Sequence, residues 1–417
     1  METRPKADLL IDNAGELLTC ADGAADLIGI VPGGVVAVAG ERIVAVGTAA
    51  EVAAAVDAEG ARRIDAGGQV VMPGFVDCHT HVVFGGSRVE ESAAKVSGGA
   101  LEAVRERGAP VGIVGTVAWT RALGVDGLAD VTLPRLREML AHGTTTVESK
   151  SGYGLTVEAE LDMLRANRRL AGLQPVDLVS TFLGAHAIPP ELSREQYVEL
   201  ILSEMLPRVV DEGLAEFHDV WCEQGYFTVE ESRRLLEAGL RLGLKPKLHL
   251  DQNSHTGAAA LAAEVRATSV DHLNFTPLAE MRLMAGAGVT AVAMPGIDFA
   301  TAHTPPVDCR RIIESGMTLA LATDICPGGW IPSMQLIVAF ACRLHGLSPA
   351  EAIRAATLGA ARAVARQDEI GSLEAGKLAD ILILDIERHE DMAYKIGRNA
   401  VRTVIKRGQV VVERSES

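Results

Sequence analysis

The chain has 417 residues, of which 48% are hydrophobic and 23% are charged, a globular balance that excludes an intrinsically disordered protein. This length allows one large catalytic domain and a smaller appended unit. The formal net charge of −16 argues against nucleic acid and anionic membrane surfaces as partners, because both bind clusters of Lys and Arg.

We expect neither an export signal nor a membrane span. Residues 1–9 carry charged side chains instead of the apolar run of a signal peptide, and no apolar stretch reaches the ~18 residues that span a membrane. The six cysteines, at positions 20, 78, 222, 309, 326 and 342, form no CxxC pair, which favours reduced thiols. We therefore expect a cytoplasmic protein.

Short β-strands are predicted near both ends of the chain. Turn signals of Gly and Asp separate the amino-terminal strands, and a Lys-Arg-Gly turn divides the last β-rich run. The predicted strands are residues 8–12, 34–38, 42–46 and 379–385, and two strands within residues 401–412. We predict that residues 1–70 and 366–417 together form one small, discontinuous β-sandwich domain.

The central residues 71–365 alternate short apolar runs with helical patterns, for example residues 176–183 followed by residues 194–204. This alternation is typical of βα units, and it predicts an α/β fold with a (β/α)₈ TIM-like barrel. Several apolar runs end in polar or ionisable residues: His79, His81, the segment 148–153, His186, His249, His272 and Asp324. Catalytic residues of such barrels gather at the carboxyl ends of the strands, so these side chains are expected at one mouth.

The pair His79 and His81 indicates a metal site. In a strand-like segment, residues two apart point to the same face, so both imidazoles can bind one ion. An HxH pair alone is a weak signal, but here it follows Pro-Gly and an apolar run in PGFVDCHTH. His249 and Asp324 are the best further ligand candidates, and His272 is the best candidate for a base or a group that orients water.

Longer motifs resemble those of one enzyme family. They are PGFVDCHTHVVFGGSR, TTTVESKSGYGL, TFLGAHAIPPE, DVWCEQG, KLHLDQNSHTGAAALAAE, SVDHLNF and LATDICPGG. They lie in order along residues 70–361, and on them the chain resembles the imidazolonepropionase family of the amidohydrolase superfamily.

The resemblance implies a barrel with a side β-sandwich and a homodimer. It also implies one Zn²⁺ or iron ion (Fe²⁺ or Fe³⁺) on His79, His81, His249 and Asp324. The family reaction opens a ring C–N bond of 4-imidazolone-5-propionate during histidine degradation and yields N-formimino-glutamate.

Roles for individual residues follow from the family motifs and from residue type. Metal binding lowers the pKa of water toward ~7, and Asp324 and His272 can take and return its proton. Arg88 and Tyr153 are expected at the substrate carboxylate, and His186 is expected to donate a hydrogen bond to the ring oxygen.

Four positions depart from the family pattern. Cys326 replaces the usual Asn, whose amide binds a carboxylate better than a thiol does, and Trp330 replaces a small hydroxyl residue. Leu101 lies where the family offers a tyrosine hydroxyl, and Gln252 stands where many members have Glu. The predicted metal set is intact, whereas part of the substrate shell, including Gln252 and Cys326, is altered.

These departures leave alternative functions open. A paralogue could hydrolyse a hydantoin, or desulfurate a thio-imidazolidine propionate, and a deaminase could use a similar ligand set. A non-catalytic binding protein is disfavoured, because binding alone needs no open metal position. Lys150 raises a separate question, since some superfamily members carry a carboxylated lysine that bridges two metals; we expect a mononuclear site.

Overall fold

The computed structural model of the protein describes residues 4–108 and 111–414. The outermost residues of the predicted β-sandwich, 1–3 and 415–417, lie outside the described residues. In the described ranges, no helix is long and apolar enough to cross a membrane.

The strands are, in chain order, β1 (Leu9–Asp12), β2 (Glu16–Leu18), β3 (Ile30–Pro32), β4 (Val35–Ala39), β5 (Arg42–Gly47), β6 (Arg62–Asp65), β7 (Val70–Pro73), β8 (Phe75–Asp77), β9 (Thr144–Lys150), β10 (Asp177–Ala185), β11 (Phe217–Cys222), β12 (Lys245–Leu250), β13 (Ser269–His272), β14 (Thr290–Ala293), β15 (Thr318–Leu321), β16 (Ile381–Leu384), β17 (Val401–Lys406) and β18 (Gln409–Glu413).

The helices are α1 (Ala49–Ala55), α2 (Val89–Val96), α3 (Leu101–Glu106), α4 (Gly112–Arg121), α5 (Gly124–Ala141), α6 (Val157–Leu170), α7 (Arg194–Leu200), α8 (Leu206–Asp211), α9 (Val229–Arg241), α10 (Ala259–Glu264), α11 (Leu278–Gly286), α12 (Pro295–Thr301), α13 (Cys309–Ser315), α14 (Met334–His345), α15 (Pro349–Arg354), α16 (Ala360–Ala363) and α17 (Asp391–Tyr394). Two π-helical turns, Ile201–Met205 and Ala355–Gly359, join α7 to α8 and α15 to α16.

The eight strands β8 to β15 form one parallel sheet in the order of the chain. Parallel neighbours in chain order, joined through helices, give the predicted (β/α)₈ barrel, so the fold class is confirmed. Strand β9 is buried along its whole length, as expected of a barrel strand covered on both faces.

The barrel is closed by contacts between its first and last strands. Asp77, at the end of β8, accepts hydrogen bonds from the backbone N–H of Thr323 at 3.0 Å and from the hydroxyl of Thr323 at 2.6 Å. All of these atoms are buried, so one carboxylate joins the two edges of the sheet where the catalytic mouth begins.

Two further sheets lie beside the barrel and draw strands from both ends of the chain. The four-stranded sheet has the order β5-β4-β1-β6, and the six-stranded sheet has the order β18-β17-β16-β7-β2-β3. Antiparallel pairing of β7 with β16 joins the two ends, as the sequence predicted. Strand β7 crosses the predicted boundary at residue 70, and the division into residues 1–70 plus 366–417 and residues 71–365 stays a prediction.

Local sequence explains where the outer helices begin. Helix α9 starts after Thr228, whose hydroxyl accepts from the backbone N–H of Glu231 while the Glu231 carboxylate accepts from the backbone N–H of Thr228. This capping box satisfies amide groups that the first helical turn leaves unpaired. Leu235 and Leu236 on α9 are buried, and the parallel order of the strands places all of their carboxyl ends at one mouth.

Candidate metal centre and active site

The four predicted metal ligands meet at the carboxyl end of the barrel. Asp324 Oδ1 lies 3.7 Å from Nε2 of His79 and 3.7 Å from Nε2 of His81. The ring centres of His79 and His249 are 4.6 Å apart, and all four side chains are buried. The barrel therefore brings together residues that are up to 245 positions apart in the chain.

The chemistry of this cluster fits a divalent metal ion. Nε2 of His79 and Nε2 of His249 are buried and have no hydrogen-bond partner within the described part of the chain. A buried polar atom without a partner is costly, but imidazole nitrogens that face a carboxylate are ordinary ligands of a divalent metal. Burial lowers the pKa of His79 and His81 well below the usual value, which favours the neutral form that binds a metal.

The His79–His81 pair lies just beyond β8, which ends at Asp77. The alternating side-chain directions of a β-strand therefore do not explain why the two imidazoles lie together. Instead, the backbone N–H of Asp324 donates to the carbonyl of His79 at 3.1 Å, and the N–H of His81 donates to the carbonyl of Ile325 at 2.9 Å. These bonds fix the pair against the segment that carries the aspartate ligand.

Two residues of the site have unusual backbone conformations. His272 has φ +84° and Asp324 has φ +50°, in the left-handed region that residues other than Gly rarely adopt. Such conformations persist where the surrounding structure imposes them, and they cluster at functional sites. His272 is the last residue of β13, and Asp324 lies three residues beyond the end of β15.

Each of two metal-ligand imidazoles lies against a buried carboxylate. His79 Nδ1 is 2.6 Å from Oδ2 of Asp271, and His249 Nδ1 is 3.0 Å from Oδ2 of Asp219. A carboxylate oxygen accepts a hydrogen, so Nδ1 of His79 carries the hydrogen and Nε2 stays bare for a metal.

Sequence reasoning assigned no role to Asp219 or Asp271, although both lie in the quoted motifs. Each aspartate lies next to an apolar residue in a strand-like segment, and this position was a signal in the sequence. In the fold, the two strands that carry the aspartates are the neighbours of β12, which carries His249.

His272 and Asp324 are the two candidate proton-transfer groups. The ring of His272 lies 5.2 Å from that of His249 and 5.4 Å from that of His79, and burial lowers its pKa well below the usual value. Burial raises the pKa of the Asp324 carboxyl well above its usual value, an effect that the Lys150 ammonium opposes. A neutral imidazole next to a ligand carboxylate is suited to moving a proton at the metal.

His186 lies in the same mouth, stacked on a metal ligand. Its ring is 4.9 Å from the ring of His81 at an interplanar angle of 10°, and its Nδ1 is 3.0 Å from the carbonyl oxygen of Gly152. Because a carbonyl only accepts, Nδ1 carries the hydrogen. Burial lowers the pKa of His186 to about 3, which favours a neutral ring with a bare Nε2. The predicted hydrogen bond from His186 to the ring oxygen of a substrate stays a prediction.

Arg88, Tyr153 and Cys326 line the approach to the cluster. The Tyr153 ring packs edge-on against His186 at 5.1 Å. The Arg88 guanidinium lies against the backbone of Gly328, where an added Cβ would be 2.3 Å from Nη2 of Arg88 and 3.7 Å from Sγ of Cys326. Nε of Arg88 is buried and has no hydrogen-bond partner among the described residues, and burial raises the pKa of the Cys326 thiol to about 12. A cation and a neutral thiol therefore lie side by side at the mouth.

Comparison with known proteins identifies the family. The model of the amidohydrolase family matches residues 70–411. The imidazolonepropionase of Symbiobacterium thermophilum is 45% identical over 416 residues, which are 97% of this chain and 97% of that protein. The chain belongs to the imidazolonepropionase family of amidohydrolases. The imidazolonepropionase of Geobacillus kaustophilus is also 45% identical, over 83% of this chain and 81% of that protein.

Solved structures share the fold at low sequence identity. An adenosine deaminase from Xanthomonas campestris with bound zinc has a TM-score of 0.73 and 20% identity, and the match covers 98% of this chain and 94% of that chain. Atrazine chlorohydrolase from Arthrobacter aurescens complexed with zinc has a TM-score of 0.72 and 19% identity, with 97% and 95% coverage. Family membership and the geometry of the cluster together make this chain a metal-dependent hydrolase of C–N bonds, with a divalent metal at the site.

The departures from the family pattern lie on loops and a short helix around the mouth. Trp330 is half exposed and packs edge-on against Phe84 at 6.3 Å. Gln252 is half-buried on the loop after β12, and Leu101 is the first residue of α3. The aliphatic side chain of Leu101 offers no hydroxyl.

The structure adds an aromatic pair that sequence reasoning missed. Trp221, at the end of β11, stacks on Tyr226 with ring centres 3.8 Å apart. The Trp221 ring also lies 5.5 Å from the ring of His186. The motif DVWCEQG contains the tryptophan, but nothing in that motif indicates that the following loop folds Tyr226 back onto it. The pair forms an aromatic wall on one side of the site.

Proposed function

We propose that the protein hydrolyses 4-imidazolone-5-propionate to N-formimino-glutamate, a step of histidine degradation. One observation carries the proposal: the predicted metal cluster of His79, His81, His249 and Asp324 shares its mouth with the Arg88 guanidinium. Nη1 of Arg88 lies 3.6 Å from Oε2 of Glu91, whereas its Nε is buried and has no hydrogen-bond partner within the described residues. The full-length relatives at 45% identity support the same substrate.

In this proposal each side chain has a role that follows from its chemical type. Arg88 pairs with the propionate carboxylate of the substrate, and the Tyr153 hydroxyl supports that contact. His186 accepts a hydrogen bond from a ring N–H through its bare Nε2. A divalent ion at the cluster, when bound, would lower the pKa of a water molecule and polarise the ring carbonyl.

Hydrolysis requires the enzyme to move one proton from the attacking water to the ring nitrogen. Water oxygen bonds to the ring carbonyl carbon, and the C–N bond of the ring breaks. Asp324 and His272 take one proton from the water and return it to the departing ring nitrogen. The carboxylic acid that forms loses the remaining water proton to solvent, so the product is a carboxylate and a formimino group without net proton change at the enzyme.

We propose zinc or iron as the metal, since three imidazoles and one carboxylate suit either ion. Metal analysis of the active protein, with restoration of activity from the apo form by each ion, tests this choice. A ratio of one ion per chain is expected.

A second candidate substrate is a five-membered ring with a sulfur substituent and a propionate arm. Cys326 favours it, because a buried neutral thiol beside Arg88 offers a soft, polarizable contact in place of an amide. In that reaction the ring would be desulfurated.

The deciding experiment is a substrate comparison with purified, metal-loaded protein. Imidazolone propionate, hydantoin propionate and the thio analogue are each followed by loss of the ring and by mass of the product. Release of N-formimino-glutamate from the first compound, with a higher kcat/KM than the others, is expected. Release of sulfide or ammonia from a competing compound at a higher kcat/KM would replace the proposal.

Asp324→Asn provides the mechanistic test. The variant is expected to keep the fold and to lose nearly all turnover, because an amide neither balances the charge of a cation nor takes a proton. Turnover like that of the wild type would remove Asp324 from the mechanism.

Two further proposals concern the cellular compartment and the oligomeric state of the enzyme. The six cysteines are free thiols, five of them buried, which supports a reducing compartment such as the cytoplasm. A homodimer stays a prediction from the family resemblance, and light scattering of the purified protein tests it.

A further inference from the structure

A layer of buried charged side chains lies inside the barrel next to the metal cluster. Lys150 Nζ lies 2.8 Å from Oε1 of Glu148, 2.7 Å from Oδ2 of Asp219 and 3.3 Å from Oδ2 of Asp271. None of these four side chains has exposed surface. One ammonium group is therefore surrounded by three carboxylates without access to solvent.

Two of these carboxylates also lie against imidazoles of the predicted metal ligands, Asp271 through a hydrogen bond and Asp219 through a close approach without hydrogen-bond geometry. Oδ2 of Asp271, which contacts Lys150, is also the atom 2.6 Å from Nδ1 of His79. Oδ2 of Asp219, which contacts Lys150, is also the atom 3.0 Å from Nδ1 of His249. The single ammonium of Lys150 thus joins the supports of two ligands that come from opposite parts of the barrel.

Lys247 provides a comparison within the same layer. Its Nζ lies 2.9 Å from Oε1 of Glu148 and 3.3 Å from the carbonyl oxygen of Cys78, and it is equally buried. Among the described residues, Lys247 forms no ion pair with Asp219 or Asp271. It has the same charge, the same burial and a shared partner, and its charge helps to lower the pKa of Asp271, but among the described residues its ammonium does not contact either carboxylate that lies against a predicted ligand.

Charge balance explains why Lys150 matters to those carboxylates. Two ammonium groups and three carboxylates form the layer, and buried charges are tolerated only when they are paired. Burial alone lowers the pKa of Lys150. The negative charges of Asp219, Glu148 and Asp271 outweigh that effect and raise the pKa of Lys150 well above its usual value. The protonated amine has no free electron pair with which to take up CO₂ or bind a metal.

We propose that Lys150 is a positioning residue: its ammonium holds Asp219 and Asp271 in the orientation that aims His249 and His79 at the metal. The role rests on the proposed ligand set. It assigns Lys150 to the support of a mononuclear centre and not to a carboxylated bridge between two ions.

The test compares Lys150→Met with Lys247→Met in folded apo protein. Each variant removes one buried ammonium, and metal affinity is measured by competition with a chromophoric chelator, with circular dichroism and thermal unfolding of the apo form as the control for folding. Lys150→Met is expected to lose about 10- to 100-fold in metal affinity, as is typical when the outer partners of metal ligands are lost. Lys247→Met is expected to change affinity less than about threefold while destabilising the apo protein to a similar extent.

Equal losses of affinity in the two variants, or none in Lys150→Met, would overturn the positioning role. If Lys150→Met does not fold, Lys150→Gln, whose amide still donates, takes its place in the same comparison. NMR of the wild type in isotope-labelled bicarbonate gives an independent check, since a carbamate signal with two ions per chain would also refute the proposal. A wild-type protein that binds one ion but hydrolyses no ring compound would reject the proposed function and leave the positioning role intact.

Discussion

His79 Nδ1 lies 2.6 Å from Oδ2 of Asp271, and both side chains are fully buried. The contact links the first strand of the barrel to the sixth, and it sets which nitrogen of His79 faces the metal cluster. A histidine ligand without such a partner can rotate or change tautomer, so the carboxylate is part of the metal site although it binds no metal itself.

Replacing Asp271 with Asn is expected to weaken metal binding by about 10- to 100-fold, because the amide is uncharged and supports the imidazole less well. Chelator competition on the folded apo protein measures the change. Ser269→Ala is the matched control, since the Ser269 hydroxyl donates to the other oxygen of Asp271 at 2.7 Å and does not contact His79. The idea fails if the serine variant loses as much affinity as the aspartate variant.

Gly152→Ala is expected to lower kcat/KM by about 100-fold, the effect of a displacement of roughly 1 Å at a site residue. Gly152 has φ +111°, and an added Cβ would lie 2.9 Å from both Cβ and Nδ1 of His186. Gly316→Ala is the control, because Gly316 has φ +85° with nothing within 4 Å of an added Cβ. The control is expected to lose about 1 kcal/mol of stability and to keep its kcat/KM. Normal kinetics in Gly152→Ala would show that the position of His186 does not limit the reaction.

Arg88→Ala is expected to raise KM for a substrate with a free propionate far more than KM for its methyl ester. A charge-assisted hydrogen bond contributes about 1.5–3 kcal/mol, which corresponds to about a 10- to 100-fold change in KM for the acid. Steady-state kinetics on both compounds provides the measurement. If both KM values rise by the same factor, Arg88 does not bind the carboxylate.

Thr323→Val is expected to cost about 1–3 kcal/mol of unfolding free energy. The variant removes the hydroxyl that donates to Asp77 at 2.6 Å and leaves the buried carboxylate with one bond fewer where the barrel closes. Thr144→Val is the control, because the hydroxyl of Thr144 is buried and has no hydrogen-bond partner in the described part of the chain. Denaturant unfolding of the apo forms compares the two, and equal losses would contradict the proposed closure.

Glu351 gives the protein a defined acid sensitivity away from the site. Hydrogen bonds from the Arg310 guanidinium, at 2.5 and 2.8 Å, lower the pKa of Glu351 from 4.5 to about 2. A depressed folded pKa contributes stability that is present above pH 4.5 and is lost as the pH falls toward 2. Glu351→Gln is therefore expected to flatten the fall in stability over that range, as measured by unfolding at fixed pH values. An unchanged pH profile would mean that this pair contributes nothing.

Local patterns in the sequence were sufficient for the barrel and for choosing candidate metal ligands that the fold brings together. Apolar runs that alternate with helical patterns predicted the βα units, and polar residues after those runs marked His249 and Asp324. The same logic did not explain the His79–His81 pair, which lies past the end of β8 and is held by backbone hydrogen bonds to residues 324–325. Strand alternation is a local rule, whereas these bonds form only when the barrel closes.

The sequence also did not predict which ring nitrogen of His186 carries the hydrogen. The motif LGAHA placed the imidazole at the mouth and predicted a donor to the ring oxygen. In the fold, the carbonyl of Gly152 lies at hydrogen-bond distance from Nδ1, which leaves Nε2 as the nitrogen available to a substrate. The tautomer of a histidine depends on a neighbour that is 34 residues away in the chain, and no motif encodes that neighbour's carbonyl direction.

The sequence by itself determined the fold class and the family, and it predicted the four side chains that the barrel brings together as candidate metal ligands, because these depend on hydrophobic periodicity and on residue types in fixed motifs. Only the tertiary structure decided how the ligands are held. The motif around Lys150 left its role undefined beyond the expectation of a mononuclear site, and the barrel surrounds its ammonium with Glu148, Asp219 and Asp271. The pairing of buried charges depends on distances across the barrel, which are set by the packing of all eight strands and not by any one of them.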